Sequence, residues 1–434
     1  MQTLQQLQSG ELLGTKRLQL ACGLTSFPRE IFDLAETLEI LDLSGNQLHV
    51  LPDDFGRLKC LKIVFFSDNL FTELPEVLAD CPRLEMIGFK ANKIAVVSEK
   101  SIPINTRWLI LTNNCIAVLP ASIGNCFRLQ KCMLAGNQLQ SLPAEMANCT
   151  HIELLRLAAN QFDAFPGWLF TLPRLSWLAI AGNPCTQTLA SNTALQEISW
   201  NDLTFLEQLG EGASGIISKA ILSPNKQEVA VKIFKGEVTS DGLPEDEMKA
   251  TIAVGYHENI VAVLGKIIDH DSHKQGLVFE LIPSHYTNLS GPPSFDSCTR
   301  DVFAEGTIFT IEDVLKIARG IASSALHLHQ RGIMHGDLYA HNILIDAQAN
   351  PLFGDFGGAM LYAKNSVFAS QLERIEVRAF GCLLDDLLQH LTLDSIHQNR
   401  VEALGNLRDK CWESEVMERP DFESVFTVLN EIGR

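Results

Sequence analysis

The chain has 434 residues, more than one hydrophobic core comfortably organises, so two or more domains are expected. It is 46% apolar and 20% charged, with 29 Gly and 17 Pro, which excludes a disordered or collagen-like polymer. A formal charge of -18 with no dense Lys/Arg run makes nucleic acid and anionic membrane surfaces poor partners. The opening text MQTLQQLQSGELLGTKRLQL has no continuous apolar stretch, and no run of eighteen uncharged apolar residues follows it, so neither a signal peptide nor a membrane span is expected. Eleven cysteines, an odd number without C-x-x-C spacing, argue against a disulfide framework or zinc ribbon and suit a reducing, cytoplasmic location.

Along the chain, Asn46, Asn69, Asn92, Asn114, Asn137, Asn160 and Asn183 recur at intervals of 22 or 23 residues. Each sits in L-x-x-L-x-L-x-x-N-x-L text, as in LEILDLSGNQLHVLP and IELLRLAANQFDAFP, and Pro52, Pro75, Pro120, Pro143 and Pro166 each follow their asparagine by six positions. Short strands with inward leucines cannot bury that face alone, so successive units must stack, with asparagine side chains bonding the backbone between coils. Cys81, Cys126 and Cys149 repeat in register and read as small core filler. This text resembles the leucine-rich repeat family over roughly residues 15 to 195, about eight repeats, the first short and the fourth without its proline. The outward columns hold Phe65, Trp108, Ile110, Met133 and Trp177, a concave apolar face suited to a protein or peptide. The alternative is that these side chains pack along the ladder or lie under the other half of the chain.

After Asn183 the period stops, and residues 184 to 203 read as a cap and linker. From residue 200 onward 34 acidic residues face 19 basic ones, a surface that attracts basic substrate segments. FLEQLGEGASGIISKAIL followed by EVAVKIF reads as strands joined by a glycine turn at Gly210, Gly212 and Gly215. A dinucleotide site needs a helix after the glycines; here strand text continues, so the glycines belong to a hairpin whose amides can cover phosphates. Lys232 is a lone cation in an apolar strand and calls for an anion. The helix predicted in LPEDEMKATIAVGYHENIV offers Glu247, with Glu245 as the alternative.

HGDLYAHNIL and LFGDFGG place Asp337, Asn342 and Asp355 at intervals of 5 and 18. With the glycine hairpin and VAVK, these strings resemble the eukaryotic-type protein kinase signature over roughly residues 203 to 434. The implied chain is α/β: a leucine-rich repeat solenoid over 1–195 and a two-lobed kinase domain over 196–434. The resemblance implies ATP at a hinge near Glu280 and Leu281, with Gly210, Gly212 and Gly215 over the phosphates and Lys232, paired with Glu247, holding them. Asp337 would accept the substrate hydroxyl's proton, and Asn342 and Asp355 would hold Mg2+. The implied activity is phosphorylation of protein substrates, Ser/Thr favoured over Tyr, with the repeats selecting substrate or regulating; the alternative is a pseudokinase scaffold.

CWESEVMERPDF is similar to the last helical region of the tyrosine-kinase-like branch of that family, where Arg419 would pair with Glu373. His335 and Phe356 read as packing groups. Several positions depart from the pattern. Gly336 replaces an arginine that in many members receives activation-loop phosphate, so phosphate gating is not expected. Tyr339 replaces the lysine usual in serine/threonine members, His341 the arginine of tyrosine-specific ones, and Glu376 an aspartate. Only 18 residues separate Asp355 from Glu373, so the loop that normally docks substrate is trimmed.

Overall fold

The repeat text folds as three-residue strands, and a computed structural model describes residues 2–186, 195–212, 214–223, 225–236, 238–392 and 397–434. A short helix α1 (Leu4–Gln8), closed by a Thr3–Gln6 capping box, precedes them. The strands are β1 (Arg17–Gln19), β2 (Ile40–Asp42), β3 (Ile63–Phe65), β4 (Met86–Gly88), β5 (Trp108–Ile110), β6 (Lys131–Met133), β7 (Leu154–Arg156) and β8 (Trp177–Ala179). From β1 to β7 each pairs in parallel with the next, in equivalent register. The central residues Leu18, Leu41, Val64, Ile87, Leu109, Cys132 and Leu155 are wholly buried, so the alternation of a strand turns one side chain per coil into the core.

The asparagine ladder forms as the spacing implied. Asn114 is typical: its amide donates to Phe89 O of the preceding coil at 2.9 Å and to Leu111 O at 3.0 Å, while its carbonyl accepts from Ile94 N at 2.9 Å. The prolines act at the next step. Pro28, Pro75, Pro120, Pro143 and Pro166 each precede a short 3-10 turn, their φ between -61° and -71°, the range the pyrrolidine ring imposes. The fourth unit, without that proline, has no such turn between β4 and β5. Cys81, Cys126 and Cys149 are buried, and each thiol donates to a carbonyl of the preceding coil. Burial pushes them up to about 12, 11 and 12, so they stay protonated filler.

Contacts divide the chain into Met1–Leu172 with Asn183–Cys185, and Pro173–Gly182 with Thr186–Arg434, which differs from a single boundary at 195/196. Segment Pro173–Gly182 carries repeat text yet packs within the second unit. This corrects the reading of Trp177 as part of an exposed face. Its ring is 1% exposed, because it stacks on Tyr339 of the second unit. Phe65, Trp108, Ile110 and Met133 are half-buried.

After β8 the second unit continues with β9 (Glu197–Ser199), in text expected to be linker, which pairs in parallel with a later strand. β10 (Leu203–Glu211), β11 (Gly215–Leu222) and β12 (Gln227–Phe234) form an antiparallel meander, followed by helix α2 (Pro244–Val254), β13 (Val263–Ile268) and β14 (Gly276–Glu280). The sheet order is β10-β11-β12-β14-β13-β9, over a core of Ala220, Val229, Val231, Ile267 and Val278. Helices follow: α3 (Ile311–Gln330), capped by a Thr310–Asp313 box, α4 (Ala369–Gln389), α5 (Gln398–Cys411) and α6 (Phe422–Ile432). α3 and α4 each turn an apolar stripe inward, including Ile317, Ile321, Leu328, Ile375, Phe380 and Leu387. Among the described residues no helix is long and apolar enough to cross a membrane.

Candidate active site

The glycine turn lies on a hairpin, since Gly210 and Glu211 of β10 pair with Ile217 and Ile216 of β11. Lys232 lies on the next strand, opposite Ile217 on one side and Leu277 on the other. Gly215 is the glycine whose lack of a side chain matters: a Cβ there would stand 2.6 Å from Ile233 O. α2 begins with Pro244 at its first turn, a position that tolerates the missing N–H. Glu247, one turn in, accepts a hydrogen bond from Lys232 Nζ. Glu245 instead pairs with Lys249 at 3.0 Å on the exposed side, so the helix register selects Glu247 between the two carboxylates. Burial pushes the Glu247 carboxyl above its ordinary range, against the opposing pull of Lys232.

The segment His335–Asn342 links Ile333–Met334 to the strand Ile343–Ile345. Asn342 donates to Asp337 twice, to its backbone O and to Oδ2, both at 2.9 Å. Those bonds fix the carboxylate and occupy the amide nitrogen of Asn342, leaving its carbonyl oxygen as the atom suited to a cation. Asp355 has φ +54°, a left-handed conformation that aspartate tolerates because its side chain bonds locally. Here its Oδ1 accepts from Gly357 N at 3.3 Å.

His335 stacks on Phe353 at 4.0 Å, meets Phe356 at 4.8 Å and bonds Gly354 O at 3.0 Å, consistent with a packing role. Glu376 of α4 accepts from Gly336 N at 2.7 Å, His335 N at 3.2 Å and the His329 ring at 2.7 Å. Gly336 has φ +73°, and a Cβ there would lie 2.5 Å from Gly358 O and 2.6 Å from Leu178 O. The loop conformation therefore demands glycine at the position where an arginine is usual. The Arg419–Glu373 pair does not form. Arg419 donates to the carbonyls of Glu413, Arg374 and Pro173, and burial without a carboxylate lowers it to about 9. Glu373 accepts from Phe422 N.

A cavity of about 370 Å³ gathers most of these groups, lined by Gly212, Gly215, Lys232, Glu247, Glu280, Asn342 and Asp355. Ile217, Ala230, Val261, Phe279 and Leu344 supply an apolar wall. Of the residues expected in the site, Gly210, Leu281 and Asp337 are not in the lining; Asp337 reaches it through its bonds to Asn342. Sequence reading missed Ser214, Thr239 and His341, which do line it. Ser214 was visible inside the glycine turn. His341 carried no ligand signal; its ring bonds Asp301 at 2.8 Å, a partner forty residues away. Among the described residues no group of three His, Cys, Asp or Glu forms a self-sufficient metal site. A Mg2+ here would be shared between Asn342, Asp355 and oxygens of its own ligand, a donor set that suits this ion.

Residues 203–376 match the protein kinase domain family and residues 36–94 match the leucine rich repeat family. The chain thus carries leucine-rich repeats and a protein kinase domain. Among similar proteins, the rust resistance kinase Lr10 of Triticum aestivum is 32% identical over 169 residues, 37% of this chain and 24% of that protein. Cysteine-rich receptor-like protein kinase 36 of Arabidopsis thaliana is 30% identical over 211 residues, 47% of this chain and 29% of that protein. Serine/threonine-protein kinase STY46 of Arabidopsis thaliana is 23% identical over 280 residues, 56% and 46% of the two chains. The chain therefore spans less than half the length of each of these relatives.

Proposed function

We propose that the chain is an active, ATP-dependent protein kinase that phosphorylates protein hydroxyls, Ser/Thr favoured over Tyr. The observation that carries this reading is convergence: the Lys232–Glu247 ion pair, Asn342 and Asp355 share one cavity, with Asp337 bonded to its edge. Magnesium, when bound, neutralises phosphate charge. The chain's own part is positional. Lys232, fixed by Glu247, presents one ammonium to phosphate oxygens; the glycine hairpin offers backbone amides; the apolar wall accepts a flat base. Asp337, oriented by Asn342, accepts the proton of an incoming hydroxyl. The Ser/Thr preference is supported by relatives named as serine/threonine kinases. Gly336 lacks the guanidinium that would read an activating phosphate, so the kinase is active without one. Eleven free cysteines suit a reducing cytoplasm, and the repeats bind a protein through the side holding Phe65, Trp108, Ile110 and Met133.

Radiolabelled phosphate transfer by purified wild type, Lys232→Met and Asp337→Asn tests the reading. Wild type should exceed both variants by at least about a hundredfold. Equal counts in all three would remove the enzyme and leave the pseudokinase scaffold. ATP with Mg2+ should also raise the melting temperature of wild type and not of Asp355→Asn. A pull-down with wild type and Trp108→Asp tests the repeat side; an unchanged set of captured proteins counts against it.

A further inference from the structure

Leu338 and Tyr339 follow Asp337 directly, and both are buried within the second unit by a segment far upstream in the chain. The Trp177 indole Nε1 donates to Leu338 O at 2.9 Å across 161 residues. Its ring lies on that of Tyr339 with centroids 4.2 Å apart and planes 5° from parallel. On the same segment, Leu178 O approaches Gly336 so closely that a side chain there would meet it at 2.6 Å. Two arginines hold the segment's start: Arg419 Nη2 donates to Pro173 O at 2.8 Å and Arg378 Nε to Arg174 O at 3.1 Å. The Asp337 loop is thus met on both sides of the aspartate, at 336, 338 and 339.

The chain that follows Asp355 holds this loop ahead of the aspartate, where Glu376 accepts from His335 N and Gly336 N. Met360–Leu361 pairs with Ile333–Met334, the Tyr362 hydroxyl bonds the His329 ring at 2.8 Å, and α4 begins at Ala369. Arg419, expected to anchor that region through a carboxylate, is spent instead on backbone carbonyls that include Pro173 O. Trp177 does not line the cavity that holds Lys232, Asn342 and Asp355, and Asp337 stays half-exposed. The contact therefore supports the loop from behind and leaves the nucleotide side open.

We propose that Trp177 is a positioning residue for Asp337: it braces the catalytic loop through Leu338 and Tyr339, on the other side of the aspartate from the backbone groups that Glu376 holds. The inference rests on the kinase reading for its effect on rate and on geometry alone for its effect on the loop. A misplaced general base can lose one to two orders of magnitude in rate.

The test uses the full chain as wild type, Trp177→Phe, Trp177→Ala and Tyr339→Leu. Phosphate transfer is followed with ATP varied, and hydrogen exchange is followed at the amides of residues 335–342. Trp177→Ala and Tyr339→Leu should each lower kcat by about 10- to 100-fold with the KM for ATP within about twofold. Trp177→Phe, which keeps the stack, should recover most of the loss. Exchange at 335–342 should quicken in Trp177→Ala, and the double variant should cost less than the two losses multiplied, as coupled residues do. A rise in kcat on losing the indole would make the contact a block and overturn the proposal, as would unchanged kcat and exchange. If wild type itself transfers no phosphate, the kinase reading fails, and the exchange result alone still decides whether Trp177 holds the loop. Should Trp177→Ala not fold, Trp177→Phe against Tyr339→Leu decides: equal kcat in the two would sink the brace.

Discussion

Both units bury polar side chains, and they satisfy them on different scales. In the repeats, Asn114 bonds its own coil and the one before it, as do Asn69, Asn92, Asn137 and Asn160. A lesion in such a ladder reaches only adjacent coils. In the second unit, Glu376, 1% exposed, accepts from His329 of α3 and from the backbone of His335 and Gly336. One side chain there joins two helices to the loop that carries Asp337, so a lesion propagates into the site. Stacking spreads polar satisfaction evenly along the chain; a convergent site concentrates it.

Four experiments press on that contrast. The largest effect is expected at Glu376. Burial pushes its carboxyl up, but the bonds from His329 and Gly336 outweigh burial and hold it below the ordinary range, hence ionised. Glu376→Ala strands three donors and should cost roughly 3–5 kcal/mol, with calorimetry showing the second unit melting first and transfer lost. Loss confined to melting, with transfer intact, would contradict the coupling to Asp337. Next comes Gly336→Ala, which sets a methyl against two carbonyls at positive φ and should cost roughly 2 kcal/mol or more, read in urea midpoints together with a lower transfer rate.

Asn114→Ala should cost about 1–2 kcal/mol, and Asn69→Ala and Asn137→Ala about the same, with transfer rate unchanged. Unequal costs along the ladder would show that the repeats are not energetically uniform. The smallest effect concerns pH. Burial opposes charge on the His341 ring, but Asp301 outweighs it and the imidazole is raised above its ordinary 6.5, with Asp337 and Asp355 adding to the pull. A raised folded value means that this stabilisation is fully present below the unfolded value and is lost as pH climbs through the folded one. Urea midpoints of wild type and Asp301→Asn should therefore differ more at acidic than at alkaline pH. A gap that widens toward alkali contradicts the ion pair.

Spacing alone revealed the register of the repeats, because each strand pairs with the text one period away and leaves a mark at every 22 or 23 residues. The glycine hairpin, Lys232, and the Asp337, Asn342 and Asp355 strings were likewise readable, since each is a short contiguous motif whose chemistry needs those residue types. The choice of Glu247 over Glu245 required the helix register, which turns one carboxylate to Lys232 and the other to solvent. Nothing in the text joined Trp177 to Tyr339, His341 to Asp301, or Arg419 to three carbonyls. Those contacts pair single residues across long stretches of chain, or spend a charged group on backbone oxygen, and neither leaves a periodicity or a motif to read. The sequence determined the elements and the candidate groups they carry; only packing in three dimensions decided which surface of the last repeat strand would be spent on the Asp337 loop.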